Sequence, residues 1–244
     1  MPGRQVSTKI CEMAILVGFQ AEGHDWLILK SLLARLLPLA EEEILEDHVP
    51  SSNRGWEFVV AFLPVAMKRF YQRCAQMMVI GIDNDGNESL LRTGGIEDPK
   101  RPRHWNHSTP NAACRFCRVE MLVAETRAKL SPLPGKPPLH WPVLLAVPVE
   151  AIEAWILELQ AIVSPPLGLV RAEDQLRSTL KQALYQKKEA PKADVEAVAL
   201  SLIRTATQQQ LDELRARSRS FALFVKQVDQ ARSVIQEPRD CWSI

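Results

Sequence analysis

At 244 residues, 46% of them apolar, the chain can bury a sizeable core, as one large domain or one domain with an appendage. Lys+Arg 30 against Asp+Glu 29 leaves a net charge of +1, which excludes a generally basic nucleic-acid binder but not a local basic patch. No apolar run approaches the roughly 20 residues that cross a membrane, the opening Met-Pro-Gly-Arg-Gln lacks the apolar core of a signal peptide, and five cysteines, an odd number in a chain this long, do not read as a disulfide framework. A reduced, cytoplasmic setting without a membrane partner is therefore expected.

In chain order, Met13–Phe19 is an apolar run of strand length. Ala21-Glu22-Gly23-His24-Asp25 follows as a tight turn, and Trp26–Leu39 as an amphipathic helix capped by Asp25 or Gly23. The acidic run Glu41–Asp47 closes that helix or opens a solvated loop. Trp56–Leu63 predicts a second strand, and Pro64 suits the first turn of a helix over Val65–Gln76. Met77–Ile82 is the third strand. Gly86–Asn111, poor in apolar residues, predicts a long loop of the kind that is often functional. A helix over Ala112–Leu130, a stiff proline-rich connector at Ser131–Leu139, a fourth strand at Trp141–Val147 and a helix over Glu150–Ala161 complete the pattern. Beyond Pro165-Pro166 the chain offers only helices, at Arg171–Leu184, Lys192–Ala206 and Ser220–Ile235. The expectation is an α/β fold: a parallel sheet of about four strands flanked by helices, spanning 1–163, with a helical C-terminal lobe over 164–244.

The third strand ends as Val79-Ile80-Gly81-Ile82-Asp83-Asn84-Asp85-Gly86. Side chains alternate along an extended chain, so Asp83 and Asp85 point the same way. Two carboxylates so placed suit a divalent cation with oxygen ligands; the alternative is a polar turn built of ordinary turn residues. Parallel sheets gather polar site residues at the carboxyl ends of their strands. There the pattern puts Glu22 after the first strand, Asp83 and Asp85 after the third, and Glu150 and Glu153 after the fourth. Such an edge suits Mg²⁺ or Mn²⁺ and phosphodiester hydrolysis.

Ala21-Glu22-Gly23 and Ile82-Asp83-Asn84-Asp85-Gly86 resemble the two signatures of the Toprim fold. That fold is shared by topoisomerases, bacterial primases, recombination mediators and the overcoming-lysogenization-defect nucleases. The chain is most similar to small Toprim-like proteins found beside ATPase genes in bacterial defence regions. Val147-Pro148-Val149-Glu150-Ala151-Ile152-Glu153-Ala154-Trp155, Tyr185-Gln186-Lys187 and Ser220-Phe221-Ala222-Leu223-Phe224 resemble further stretches of that group. The resemblance implies a Mg²⁺-dependent nuclease acting with a partner ATPase. It implies Glu22 as an acid–base or metal-binding residue, Asp83 and Asp85 as metal ligands and Glu153 as an additional acidic ligand. Lys187, in the Tyr-x-Lys stretch, would stabilise transition-state charge. Four residues after Glu22, where many Toprim proteins carry a second acid, this chain has Trp26, with Asp25 one residue earlier. A copy of the fold that keeps binding but not catalysis, serving as a regulatory subunit of an ATPase complex, is the alternative. A phosphatase or nucleotide hydrolase using the same acidic edge is a third reading.

Outside that resemblance, His104-Trp105-Asn106-His107 precedes Cys114-Arg115-Phe116-Cys117, within an insert at about 98–118. Two histidines and two cysteines so spaced suit a closed Zn²⁺ site, and a reduced setting favours metal over a disulfide. Alternatively, Cys114 and Cys117 are small core residues on the apolar face of their helix. The same segment is basic. Lys100, Arg101, Arg103, Arg115 and Arg118, with Trp105 and Phe116 interleaved, would suit phosphate contacts and base stacking with DNA or RNA; the alternative is a solubilising surface loop.

Overall fold

The apolar run Ile15–Ala21 forms β1, an inner strand of the computed structural model, which describes residues 14–48, 55–84, 99–100, 102–134, 137–164, 172, 177–187 and 192–235. Its alternate side chains serve two cores. Ile15, Val17, Phe19 and Ala21 face one, and Leu16 faces the other, as period-two alternation in a sheet covered on both faces requires. Gly23, at φ +52°, turns the chain out of β1. Helix α1 (Asp25–Leu36) follows, with His24 in the cap position and no side-chain cap. Asp25 is thus the first helical residue, where its charge meets the positive end of the helix dipole, and neither Asp25 nor Gly23 is the cap.

The acidic run and the expected second strand both take other forms than the sequence pattern suggests. The acidic run does not end in a loop: after a 3-10 turn at Glu41–Glu43 it becomes the strand β2 (Ile44–His48). β2 is short, charged and at the sheet edge, where such composition discourages pairing with other chains. The expected strand at Trp56–Leu63 is instead the first half of helix α2 (Gly55–Gln72). Its buried residues are Val59, Leu63, Ala66, Met67, Phe70 and Tyr71, recurring three and four apart as one helical face. Pro64 stays within the helix because it lies on the exposed side, where water can serve the carbonyl freed one turn back.

β3 (Met77–Gly81) and β4 (Val143–Ala146) complete an all-parallel, four-stranded sheet in the order β2-β1-β3-β4. Ala21 pairs with Gly81, and Gly81 with Ala146, so the carboxyl ends of the three strands lie level. Helices α2 and α3 (Arg115–Lys129) cover one face, around Phe70, Met78 and Ile80. On the other lie α1, α4 (Glu153–Val163), α5 (Arg177–Tyr185) and a helical stretch α6. α6 comprises Lys192–Asp194, the π-helical Val195–Leu200 and Ser201–Thr205. α7 (Gln208–Arg217) and α8 (Arg219–Ile235) complete that layer. α7 opens with a capping box between Thr207 and Gln210, a start signal not read from the sequence.

Trp155 anchors this second layer. It is fully buried, stacks on Phe224, meets Phe221 edge-on and donates its indole N–H to Ser220 Oγ at 2.7 Å. At the open edge of β4, the Gln227 amide of α8 acts as a stand-in strand. Its Oε1 accepts from Leu145 N at 2.9 Å and its Nε2 donates to Leu145 O at 3.0 Å. Among the described residues no helix is long and apolar enough to cross a membrane.

Candidate active edge and metal-binding group

The strand order determines where a site can form. From β1 the chain passes to β2 on one side, and α2 then carries it back to β3 on the other. The crevice at the carboxyl ends of β1 and β3 is therefore a topological switch point, the usual place for ligands in open α/β sheets. Glu22 and Asp83 are there, the first one residue beyond β1 and the second two beyond β3. Glu22 Oε1 accepts a hydrogen bond from the backbone N–H of Asp83 at 3.3 Å. Both side chains are almost wholly buried. Asp85, the other member of the expected pair, lies outside the described residues.

Past β3 the chain keeps an extended path beside β4. Asn84 N donates to Pro148 O at 2.9 Å and Glu150 N to Asn84 O at 3.2 Å. Glu150 is buried and holds φ at +62°. Such a backbone conformation costs a non-glycine residue about 1–3 kcal/mol and concentrates at functional sites. Glu153, the first residue of α4, is also buried, and Lys181 Nζ of α5 stands 3.7 Å from its Oε1. Tyr185 belongs to the same polar cluster. Burial, and then the negative charges of Glu153, Asp25 and Asp194, push its phenol well above the ordinary range. Lys187 is exposed and pairs with Asp194 at 2.6 Å. Glu22 and Asp83 are thus brought together, whereas Glu153 and Lys187 each face a partner of opposite charge on the α5–α6 side.

The basic segment divides. Arg101 lies outside the described residues. Lys100 and Arg118 are exposed and Arg103 is half-buried. Arg115 is turned inward: it is 4% exposed, donates from Nη1 to the carbonyl of Asp83 and lies over the Trp56 ring at 4.7 Å. Arg118 covers the same ring at 4.9 Å.

Next to Arg115 is a second constellation. A 3-10 turn, His104–Asn106, presents His104 and leads into His107. Cys114 occupies the cap position of α3 and Cys117 its first turn, three residues apart and so on one face. The ligand atoms of these four side chains all lie within 4.8 Å of one another, and among the described residues they form the group suited to holding a metal ion. Both cysteines are free thiols and buried. His104 Nδ1 stands 3.5 Å from Cys117 Sγ and 3.9 Å from Cys114 Sγ, its ring stacked on Phe116. Burial, reinforced by His107, lowers the His104 pKa, which favours the neutral, ligating imidazole. Burial beside Cys117 pushes the Cys114 thiol up to about 11.

Compared with known proteins, the chain matches no family model, no curated protein and no solved structure.

Lys181 and Tyr185 were not singled out from the sequence as site neighbours, because only folding of α5 against α4 brings them to Glu153. Gln20 was also missed. It is fully buried, and both ends of its amide lack hydrogen-bond partners. It lies two residues before Glu22, on the same side of the extended chain. A lone amide inside an apolar strand was the available signal.

Proposed function

We propose that the chain is a Toprim-type nuclease that hydrolyses phosphodiester bonds of DNA or RNA with Mg²⁺ or Mn²⁺, working with a partner ATPase in bacterial defence. The observation that carries this reading is the placement of Glu22 beside Asp83 in the crevice between β1 and β3, joined by the 3.3 Å hydrogen bond. Carboxylate oxygens suit a hard divalent cation, and such an ion supplies charge stabilisation at a phosphoryl oxygen and a more acidic bound water. Glu22, Asp83 and Asp85 would hold the ion, with Glu22 also positioned to move a proton. Glu153, with Lys181, would supply a further carboxylate. Lys100, Arg101, Arg103 and Arg118 would contact phosphates, and Lys187, paired with Asp194 on the α5–α6 side, would add positive charge there. His104, His107, Cys114 and Cys117 would take a different ion, Zn²⁺, with a structural role.

The test is cleavage of plasmid DNA and of structured RNA with Mg²⁺ or Mn²⁺, with and without the partner ATPase. Glu22→Gln is expected to reduce cleavage by about 10²–10⁴-fold, the usual loss for an acid–base group, and Asp83→Asn to abolish metal-dependent turnover. Equal activity in the variants and the parent would remove the assignment. A second reading, a binding subunit without catalysis, draws on the Lys181–Glu153 pair, which already compensates one of the expected ligands. It predicts nucleic-acid or ATPase binding with no cleavage under any metal.

A further inference from the structure

Three observations on the His/Cys group point to a metal. His107 Nδ1 lies 2.9 Å from Thr109 O. A carbonyl can only accept, so Nδ1 carries the proton and Nε2 is left as a lone pair. That Nε2 is buried and has no hydrogen-bond partner. This is the arrangement in which a second-shell carbonyl fixes a ligating imidazole. The separation of His104 Nδ1 from Cys117 Sγ, 3.5 Å, matches the edge of a tetrahedron with Zn–N about 2.0 Å and Zn–S about 2.3 Å. The cysteines belong to the buried cluster beneath α2 and α3, yet both turn their sulfur atoms to the His104 imidazole, at 3.9 and 3.5 Å, a contact that apolar packing alone does not call for. Two thiolates and two neutral imidazoles would neutralise a divalent ion and complete four-coordination, leaving no open position for water or substrate.

We infer that His104, His107, Cys114 and Cys117 form a closed structural Zn²⁺ site, and that this ion fixes the start of α3 so that Arg115 is held against the end of β3. Arg115 sits between the two cysteine ligands. Its guanidinium reaches the Asp83 carbonyl and lies over Trp56. A narrow cleft lined by Asn84, His104, Cys114 and Phe116 joins the metal-binding group to the strand end. The ion thus acts as a clasp between a loop with little apolar content and the inner edge of the sheet. Arg115 is a positioning residue in this arrangement. The zinc assignment stands on its own ligands and does not rest on the nuclease reading.

The experiment uses the full chain. Protein purified without added metal is expected to contain about one zinc per chain by elemental analysis. Exchange for Co²⁺ is expected to give the intense visible absorption of a tetrahedral ion with thiolate ligands. Cys117→Ser, which leaves one thiolate, should weaken the thiolate bands, and Cys74→Ser, outside the group, should keep them at full strength. A chain that folds cooperatively with little zinc, and gives no tetrahedral Co²⁺ spectrum, would overturn the site. If Cys117→Ser does not fold, the metal content and Co²⁺ spectrum of the parent chain still decide. Hydrogen exchange then tests the clasp. Chelation is expected to speed exchange in the first turn of α3 and at Ile82–Asn84 while β1 stays protected. Unchanged exchange at Ile82–Asn84 after metal loss would overturn the positioning role. Neither readout depends on cleavage, so a failed nuclease assay leaves both intact.

Discussion

Gly18 illustrates how single atoms hold the two layers at their spacing. A Cβ at this position would fall well inside contact distance of three ring carbons of Phe70, and Phe70 is itself fully buried. An aromatic ring in a filled core cannot swing away as the end of a lysine could. Gly18→Ala is therefore expected to destabilise the protein by about 1–3 kcal/mol, the usual cost of overpacking, measured as a lower midpoint in urea with an unchanged slope. At this scale the sequence was legible where chemistry repeats in a short window. Glu22 and Asp83 could be placed at strand ends, and His104, His107, Cys114 and Cys117 could be grouped by spacing. The inward turn of Arg115 was not legible, because its partners Asp83 and Trp56 come from distant parts of the chain. Nor was the pairing of Glu153 with Lys181, for the same reason.

Elements that touch across long sequence separations are joined by arginines. Arg35 of α1 bonds the carbonyl of Ala206, and Arg232 of α8 bonds that of Leu36. Arg204 of α6 grips Glu41 with two bonds, at 2.9 and 2.7 Å. The Arg204 hydrogen bond is the main reason that the Glu41 carboxyl titrates below its ordinary value of 4.5, against an opposing push from burial. A carboxyl with a depressed folded-state pKa stabilises the fold above its unfolded value, and the contribution is lost as pH falls through the folded value. Arg204→Gln is thus expected to cost under about 1 kcal/mol at neutral pH, because the pair is partly solvated. The difference from the parent should fade as the solution is acidified below 4.5, read by denaturant titration at a series of pH values. The two misread elements, β2 and the first half of α2, share a cause. β2 carries Glu46 and Asp47 and hides only Ile44 and Asp47, so its composition gives no strand signal. Trp56–Leu63 is dense in aromatic and β-branched residues, which favour strands locally, yet its burial follows helical spacing once α2 lies on the sheet.

Across the whole molecule, the sheet is enclosed by two helical layers of unequal origin. α2 and α3 come from the connections between strands, whereas α4 through α8 follow the last strand and, with α1, close the other face. The parallel sheet was legible because strands alternate with helices along the sequence. Of the C-terminal helices, α5, α6 and α8 were legible as helices, whereas α7 (Gln208–Arg217), whose composition is largely polar, was not. The destination of these helices was not legible either, since a stripe of apolar residues says that a face is buried but not against what. The packing predicts that a chain ending after Thr205, lacking α7 and α8, loses Phe221 and Phe224 from around Trp155, and Val228 from the same core. Such a chain is expected to lose cooperative unfolding and near-ultraviolet circular dichroism and to bind a hydrophobic dye, while keeping most of its helical signal.

The Gln227 amide against Leu145 also has a consequence in time. Synthesis runs from the N-terminus, so β4 leaves the ribosome well before the helix that covers it. Until α8 arrives, the N–H and C=O of Leu145 form part of an exposed sheet edge, which is the part of a nascent chain most apt to pair with another copy. The arrival of α8 therefore sets when this edge of the sheet becomes safe from neighbouring chains.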